Sequence, residues 1–271
     1  MSKAVLTVDN LQVAFAANSV VRNVSFQLQP GEVLGIVGES GSGKSVTCLS
    51  ILGLLQGANV QGSAQLSGQE LIGLNPTALR QVRGQKIGVI LQNPASFFNP
   101  IDSIERQFIE TLQSHQSLTK AAARSIAVEQ LVAVGLNDPE RILRQYSFQL
   151  SGGMLQRVMI AIALSLQPQV LIADEPTTAL DVITQMQILG LIKQLQQQTH
   201  CAVLLVTHDL GVIAQLADRV AVMWNGELVE QASVEQLFDQ PQHAYTRSLL
   251  ASRLTLAWEK TDDSSIGAPC H

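Results

Sequence analysis

Short apolar runs alternate with amphipathic stretches along the chain, and this pattern predicts an α/β fold. The runs at 33–37, 87–91, 170–173, 202–206 and 219–224 are almost continuously hydrophobic, as is typical of strands that a parallel sheet buries on both faces. Apolar positions at helical spacing follow three of these runs and also precede the run at 170–173. We therefore predict helices at 44–55, 154–166, 182–198 and 210–216.

Two regions depart from this alternation and predict subdomains. The first 30 residues and residues 57–73 are rich in turns and short β-type runs, with strands predicted at 5–8, 11–15 and 24–28. Helical patterns at 103–115 and 118–134 dominate the region between residues 96 and 144. We predict one domain over residues 1–260, made of a core at 1–95 and 155–235, a helical subdomain at 96–154 and a C-terminal helical appendix at 236–260. Residues 261–271 are predicted to form a disordered tail.

Composition excludes several classes of protein. Hydrophobic residues make up 46% of the 271 positions, which is enough for a large core. The net charge is −5 without a basic block, so a nucleic-acid partner is not expected. The cysteines, Cys48, Cys201 and Cys270, form no CxxC pair, and a reducing compartment is expected. No run reaches the roughly 18 apolar residues of a spanning helix, so we expect any membrane attachment to come through a partner.

A glycine-rich loop directly after the predicted strand 33–37 is the strongest chemical signal. It matches the pattern G-x-x-x-x-G-K-[ST], and it stands between a strand and a helix as that motif requires. Glycines let such a loop curl around a phosphate chain, the lysine reaches the β- and γ-phosphates, and the final hydroxyl can ligate Mg²⁺. The predicted ATP-binding residues are Gly38, Glu39, Ser40, Gly41, Ser42, Gly43, Lys44 and Ser45.

Two adjacent acids end the predicted strand 170–173. Because the carboxyl ends of parallel strands form one edge, Asp174 and Glu175 should lie near the glycine-rich loop. We predict that Asp174 holds Mg²⁺ and that Glu175 polarises the attacking water as a general base.

A third motif, Leu150-Ser151-Gly152-Gly153-Met154, lies between the first two and precedes a predicted helix. Ser151 is a suitable N-cap, and the glycines allow close approach to an anion. The set of three motifs resembles the ABC-transporter ATPases, whose signature usually reads LSGGQ; Met154 stands here in place of the glutamine. The resemblance covers roughly residues 4 to 250.

This resemblance implies a P-loop NTPase fold of the ABC ATPase type, with a RecA-like core, an antiparallel β subdomain and an inserted α-helical subdomain. It also implies further roles. Gln92 would sense Mg²⁺ and the attacking water, His208 would contact the γ-phosphate, and Phe15 would stack on adenine. Ser151, Gly152 and Gly153 would contact ATP bound to a second subunit. Catalysis is thus expected from Glu175, His208, Gln92 and Lys44, and Mg²⁺ ligation from Ser45, Gln92 and Asp174.

Several segments resemble the peptide/nickel importer branch, among them 35–45, 91–94, 151–157 and 241–250. Phe98-Asn99-Pro100 and Leu155-Gln156-Arg157 are similar to the nickel-import (NikD-like) members. The resemblance implies an ATPase on the cytoplasmic face of the inner membrane that powers uptake of nickel or a metal chelate, with di- or oligopeptides as the alternative. The implied partners are a second, non-identical ATPase, two transmembrane permeases and an extracytoplasmic binding protein. A non-transport ABC ATPase and a small-molecule kinase are the other hypotheses.

Overall fold

A six-stranded sheet forms the centre of the molecule in the computed structural model, which describes residues 3–16, 18–178 and 180–252. The strand order is β10-β9-β3-β8-β7-β6; the first strand is antiparallel to its neighbour and the other five are parallel. The strands are β3 (Val33–Val37), β6 (Ile87–Ile90), β7 (Val170–Asp174), β8 (Ala202–Thr207), β9 (Arg219–Trp224) and β10 (Glu227–Ser233).

Successive side chains of the central strands point into two separate apolar clusters, which explains their continuous hydrophobic runs. Leu34 and Ile36 join the cluster between this sheet and the N-terminal sheet, whereas Val33 and Val37 join the cluster under the helices of the opposite face. All four side chains are 5% exposed or less. With both faces covered, a polar residue at any of these positions would be buried without water.

The N-terminal β subdomain is a four-stranded antiparallel sheet with the order β2-β1-β4-β5. Its strands are β1 (Leu6–Phe15), β2 (Asn18–Leu28), β4 (Ala58–Leu66) and β5 (Gln69–Glu70). The separate strands predicted at 5–8 and 11–15 are one strand. The pairing shifts register between Val8 and Leu11, where Asn10 has a φ of 48°, so the apolar alternation breaks although the ladder continues.

Nine α-helices lie between residues 44 and 239, and a tenth helical segment follows at 244–252 in the described part of the chain. Three follow strands of the central sheet: α1 (Lys44–Ile51), α7 (Val182–Thr199) and α8 (Leu210–Leu216). A fourth, α6 (Gly152–Ser165), precedes β7. The others are α2 (Pro76–Val82), α3 (Ile104–His115), α4 (Lys120–Ala133), α5 (Pro139–Arg144) and α9 (Val234–Asp239).

Helix α1 is shorter than predicted. It ends at Ile51, and Gly53 follows with a φ of 59°, a left-handed conformation that stops an α-helix. The sequence pattern missed α2 and α5, although each carries a start signal. Asn75 before Pro76 and Asp138 before Pro139 place a capping side chain ahead of a proline at the first helical position.

Helices α3, α4 and α5 form the predicted helical region and pack on α6. Phe108, Leu112 and Leu131 are fully buried there in the same cluster as Met159 of α6. The predicted boundary between residues 154 and 155 falls inside α6, because this helix begins at Gly152 and continues without a break to the central sheet.

The C-terminal part contains β10 and α9, which the sequence pattern did not identify as separate elements, and residues 244–252 are helical. The remainder of the predicted appendix and the predicted tail at 261–271 lie outside the described residues. Among the described residues, no helix is both long and apolar enough to cross a membrane.

A single carboxylate ties strand β4 to the segment that follows β5. Glu70 accepts hydrogen bonds from the backbone N–H of Ala64 (2.9 Å), Leu71 (3.1 Å) and Ile72 (3.0 Å), and from the hydroxyl of Ser63. Burial alone would raise the pKa of Glu70, but these hydrogen bonds hold it below its ordinary value of 4.5.

We predict that Glu70→Gln lowers the free energy of unfolding by about 1–3 kcal/mol at pH 7. A neutral amide oxygen accepts the three backbone N–H groups less strongly than a carboxylate does, and the amide NH₂ replaces the oxygen that accepts the Ser63 hydroxyl. Since the folded pKa is depressed, this stabilisation is complete above pH 4.5 and is lost as the pH falls through the folded value. Urea unfolding between pH 3 and 7 measures the difference. The exposed Glu227→Gln is the control, and an equal loss in both variants would contradict the prediction.

Candidate active site

The glycine-rich loop joins β3 to α1 and comes closer to neighbouring backbone than a side chain would permit. A Cβ atom on Gly38 would lie 2.1 Å from the carbonyl oxygen of Met223, and Gly43 has a φ of 109°. The Gly43 carbonyl begins α1 by accepting the N–H of Thr47 at 2.9 Å. Residues 38–45 therefore form a tight loop whose end is the N-terminus of a helix, an arrangement suited to binding phosphate.

Lys44 folds back over this loop and is only 5% exposed. Its ammonium group donates hydrogen bonds to the carbonyl oxygens of Gly38 and Glu39, both at 2.8 Å. Burial lowers the pKa of Lys44, whereas the nearby carboxylates of Glu175 and Asp174 oppose that shift. The cation is thus held by neutral carbonyl groups that a negatively charged ligand can replace.

Ser45 and Asp174 meet where β3 and β7 end. The Ser45 hydroxyl donates to Oδ1 of Asp174 at 2.9 Å. Burial raises the pKa of Asp174 above its ordinary value, and the hydrogen bond from Ser45 and the charge of Lys44 oppose this shift. Two oxygen donors of the type that Mg²⁺ prefers therefore converge beside the lysine.

Glu175 follows directly and adopts the left-handed backbone conformation, with a φ of 50°. Its N–H donates to the carbonyl of Val206 on β8 at 2.8 Å, which fixes the residue at the sheet edge. Its carboxylate lies 2.7 Å from Nδ1 of His208 and accepts a hydrogen bond from the hydroxyl of Thr178. A carboxylate and an imidazole thus face each other beside the loop.

A cleft of about 250 Å³ brings several of the predicted residues together. Lys44, Ser45, Gln92 and Glu175 line it, together with three other residues of the glycine-rich loop, Ser40, Gly41 and Gly43. Gln92 follows β6, so loops after β3, β6 and β7 contribute to one cleft at the carboxyl edge of the sheet.

Phe15 does not line this cleft. It stands at the end of β1, paired with Asn18 and Ala58, and packs partly buried against the apolar cluster of the β subdomain. Val20 of β2 lines the cleft at that side instead. A valine in a β-type run carries no signal that would distinguish it from core.

Ser151, Gly152 and Gly153 also lie outside the cleft. Ser151 caps α6, because its Oγ accepts the N–H of Met154 at 3.3 Å, as predicted for an N-cap. Gly153 faces α7, where an added Cβ would lie 2.7 Å from the side chain of Thr184. The structure therefore leaves the third motif apart from the other two within one chain.

Two contributions escaped the sequence analysis. Thr178, three residues after Glu175, borders a second cavity with His208, and this cavity extends to Leu249 and Ser252 of the C-terminal helical residues. Gln156, 1% exposed, donates to the carbonyl of Pro176 at 2.9 Å and so ties α6 to the loop that carries Glu175. The sequence carries no motif that would link Leu249 and Ser252 to the second cavity.

Comparison with known proteins identifies the family. Residues 21–178 match the family model for the ABC transporter, and the oligopeptide transport ATP-binding protein AmiE of Streptococcus pneumoniae is 46% identical over 273 residues. That alignment covers 98% of this chain and 77% of AmiE. The chain belongs to the ABC transporter family. The predicted membership is confirmed, and so is the ABC-type ATPase class.

Other relatives are longer than this chain. The peptidoglycan transport ATP-binding protein YejF of Agrobacterium fabrum is 50% identical over 93% of this chain and 47% of its own length. The glutathione import ATP-binding protein GsiA of Escherichia coli K12 is 49% identical over 92% of this chain and 42% of its own length. The chain thus spans about half the length of these two relatives. None of the three relatives carries nickel in its name.

A solved structure supports the fold. The ATP-binding cassette MJ0796, described as a dimeric post-hydrolysis state bound to ADP and Pi, aligns with a TM-score of 0.75 at 27% identity. The alignment covers 84% of this chain and 98% of MJ0796. The predicted ABC ATPase fold is therefore confirmed.

We predict that Asp174→Asn raises the melting temperature of the nucleotide-free protein by about 2–4 °C at pH 7. Burial raises the pKa of Asp174 in the folded state, so the charged form lowers stability above that pKa. The gain should disappear as the pH falls through the raised value towards 3.8, where the wild-type carboxyl is also neutral. Thermal unfolding followed by circular dichroism measures this.

The exposed Asp9→Asn is the matched control, because it makes the same change without burial. A melting temperature for Asp174→Asn at or below that of the wild type at pH 7 would contradict the prediction.

Proposed function

We propose that this chain binds Mg²⁺ and ATP in the cleft at 38–45 and that it hydrolyses ATP to power a membrane importer. The hydrogen bond of 2.9 Å between Ser45 and Asp174 carries this proposal. It joins Ser45, at the end of the phosphate-binding loop, to Asp174, the first of the two acids. A hydroxyl from this loop and an acid at the end of a strand hold Mg²⁺ in P-loop ATPases. Lys44 would exchange the carbonyls of Gly38 and Glu39 for the β- and γ-phosphates.

The donor set suits Mg²⁺. This ion takes few protein ligands and keeps water and phosphate oxygens for its other positions. Ser45 and Asp174 would supply a hydroxyl and a carboxylate, and Gln92 an amide oxygen. The ion would neutralise charge on the phosphates, and we propose these three residues as its protein ligands.

Glu175 would act as general base. Its carboxylate lines the cleft and lies against His208, so it can accept a proton from a water beside the terminal phosphate. His208 would hold Glu175 in place and donate to the γ-phosphate. Lys44 and Gln92 would complete the catalytic set by positioning the phosphate and the water.

A second subunit would complete the site. Ser151, Gly152 and Gly153 begin a helix whose N-terminus is exposed and lies away from the chain's own cleft. Such an N-terminus binds anions, and the related MJ0796 is described as dimeric. We infer that these residues close on ATP held by the partner, and that closure excludes water and couples assembly to hydrolysis.

The assembly would lie on the cytoplasmic face of the inner membrane. A non-identical ATPase, two permease subunits and an extracytoplasmic binding protein are the proposed partners, since importers of this branch combine these parts.

The transported compound is proposed to be a short peptide or a peptide-derived compound. Three relatives at 46–50% identity are described as transporting oligopeptides, glutathione or peptidoglycan, and all three substrates contain amide-linked amino acids. Nickel or a metal chelate is the second candidate, favoured by the segments 98–100 and 155–157. The relatives give it no support.

We predict that Glu175→Gln keeps ATP binding and lowers the hydrolysis rate roughly 10²- to 10⁴-fold, because the amide cannot accept a proton. Binding of a fluorescent ATP analogue and release of phosphate measure the two properties. Glu129→Gln on the exposed face of α4 is the control. Hydrolysis by Glu175→Gln at the wild-type rate would exclude Glu175 as the base.

For the substrate, we predict that cells whose only copy carries Lys44→Ala lose uptake of a radiolabelled tripeptide and retain uptake of ⁶³Ni. Loss of Lys44 removes phosphate binding, so transport of the true substrate stops. Restoration by the wild-type gene is the control. Loss of nickel uptake with intact peptide uptake would reverse the choice, and intact uptake of both would leave the importer proposal without support.

A further inference from the structure

One peptide group of the glycine-rich loop is held at both of its ends. The carbonyl oxygen of Gly38 accepts the ammonium of Lys44 at 2.8 Å, and the N–H of the same peptide, on Glu39, donates to the hydroxyl oxygen of Tyr245 at 3.1 Å. Hydrogen bonds at the two ends of one peptide polarise it and strengthen each other. A residue 206 positions along the chain thus orients an acceptor of the buried lysine.

Contacts other than the hydrogen bond to Glu39 also fix the position of the Tyr245 phenol. Its ring stacks on Trp224, the last residue of β9, with centroids 5.4 Å apart and an interplanar angle of 24°. The preceding turn is fixed by Glu230, which accepts the N–H groups of Gln242 at 2.8 Å and His243 at 2.9 Å. The hydroxyl therefore reaches the loop from an ordered position.

The ionisation state of Tyr245 suits this contact. Burial raises the pKa of the phenol above its ordinary value of 10.0, and the charge of Glu39 raises it further, although the Glu39 N–H opposes the shift. The group is consequently neutral at physiological pH, and it accepts the Glu39 N–H as a hydroxyl.

We propose that Tyr245 is a positioning residue for nucleotide binding, because its hydroxyl holds the Gly38–Glu39 peptide while Lys44 leaves the carbonyls for phosphate. This inference rests on the proposed role of Lys44. When the ammonium moves, the peptide loses the partner at its carbonyl, and the hydrogen bond to Tyr245 remains at its N–H. Without the hydroxyl, the free loop adopts more conformations, and the entropy lost when ATP orders the loop weakens binding.

The expected consequence is weaker binding with unchanged chemistry. One net hydrogen bond corresponds to about a three- to tenfold change in a dissociation constant. Tyr245 does not line the cleft that contains Glu175, so the rate of hydrolysis at saturation should stay within about twofold.

The test is Tyr245→Phe in the full chain, which keeps the stacking on Trp224 and removes only the hydroxyl. We expect the Kd of the purified chain for a fluorescent ATP analogue with Mg²⁺ to rise about three- to tenfold. In the complex purified from membranes, KM for ATP should rise and kcat should not. The control is Tyr146→Phe, the same change at the other tyrosine of the sequence, whose ring stacks on Phe148.

Exchange of the Glu39 amide hydrogen, followed by NMR, gives a second measurement that does not depend on turnover. In the nucleotide-free protein it should be faster in Tyr245→Phe than in the wild type or in Tyr146→Phe. An unchanged Kd and unchanged exchange would overturn the inference, as would a fall in kcat together with a lower melting temperature. A wild-type chain that binds no ATP would refute the proposed function instead.

Discussion

The burial of one ammonium group, that of Lys44, constrains the geometry of the candidate active site. Lys44 is 5% exposed, and a cation at such a depth needs acceptors on every side. The carbonyls of Gly38 and Glu39 supply them, which they can do only because the loop curls tightly enough to turn both inwards. The missing Cβ of Gly38 permits that curl against the backbone of Met223.

The same constraint explains why the site collects groups from distant parts of the chain. Asp174 and Glu175 lie close enough to oppose the loss of the lysine charge, and burial in turn raises the pKa of Asp174. Their positions follow from the sheet, since the parallel strands β3, β7 and β8 all end at one edge. The acids, the loop and His208 are thereby brought together by topology and not by proximity in sequence.

The charged groups of the site have hydrogen-bond partners that a ligand can displace. Carbonyl oxygens hold Lys44, a serine hydroxyl holds Asp174, and an imidazole with a threonine hydroxyl holds Glu175. Each partner is a neutral group or a titratable ring that phosphate, Mg²⁺ or water can replace. Large apolar clusters on both faces of the sheet stabilise the fold that holds these partly buried charges.

The sequence by itself determined the parallel sheet and most of the polar residues at its carboxyl edge. Continuous apolar runs require strands buried on both faces, and the loop 38–45, Asp174, Glu175 and His208 all directly follow such runs. Only the tertiary structure decided which other side chains reach them. It left Phe15 outside the cleft and Val20 at its wall, and it kept Ser151 apart. It also brought Tyr245 to the N–H of Glu39, because contacts across the fold depend on packing that no local pattern encodes.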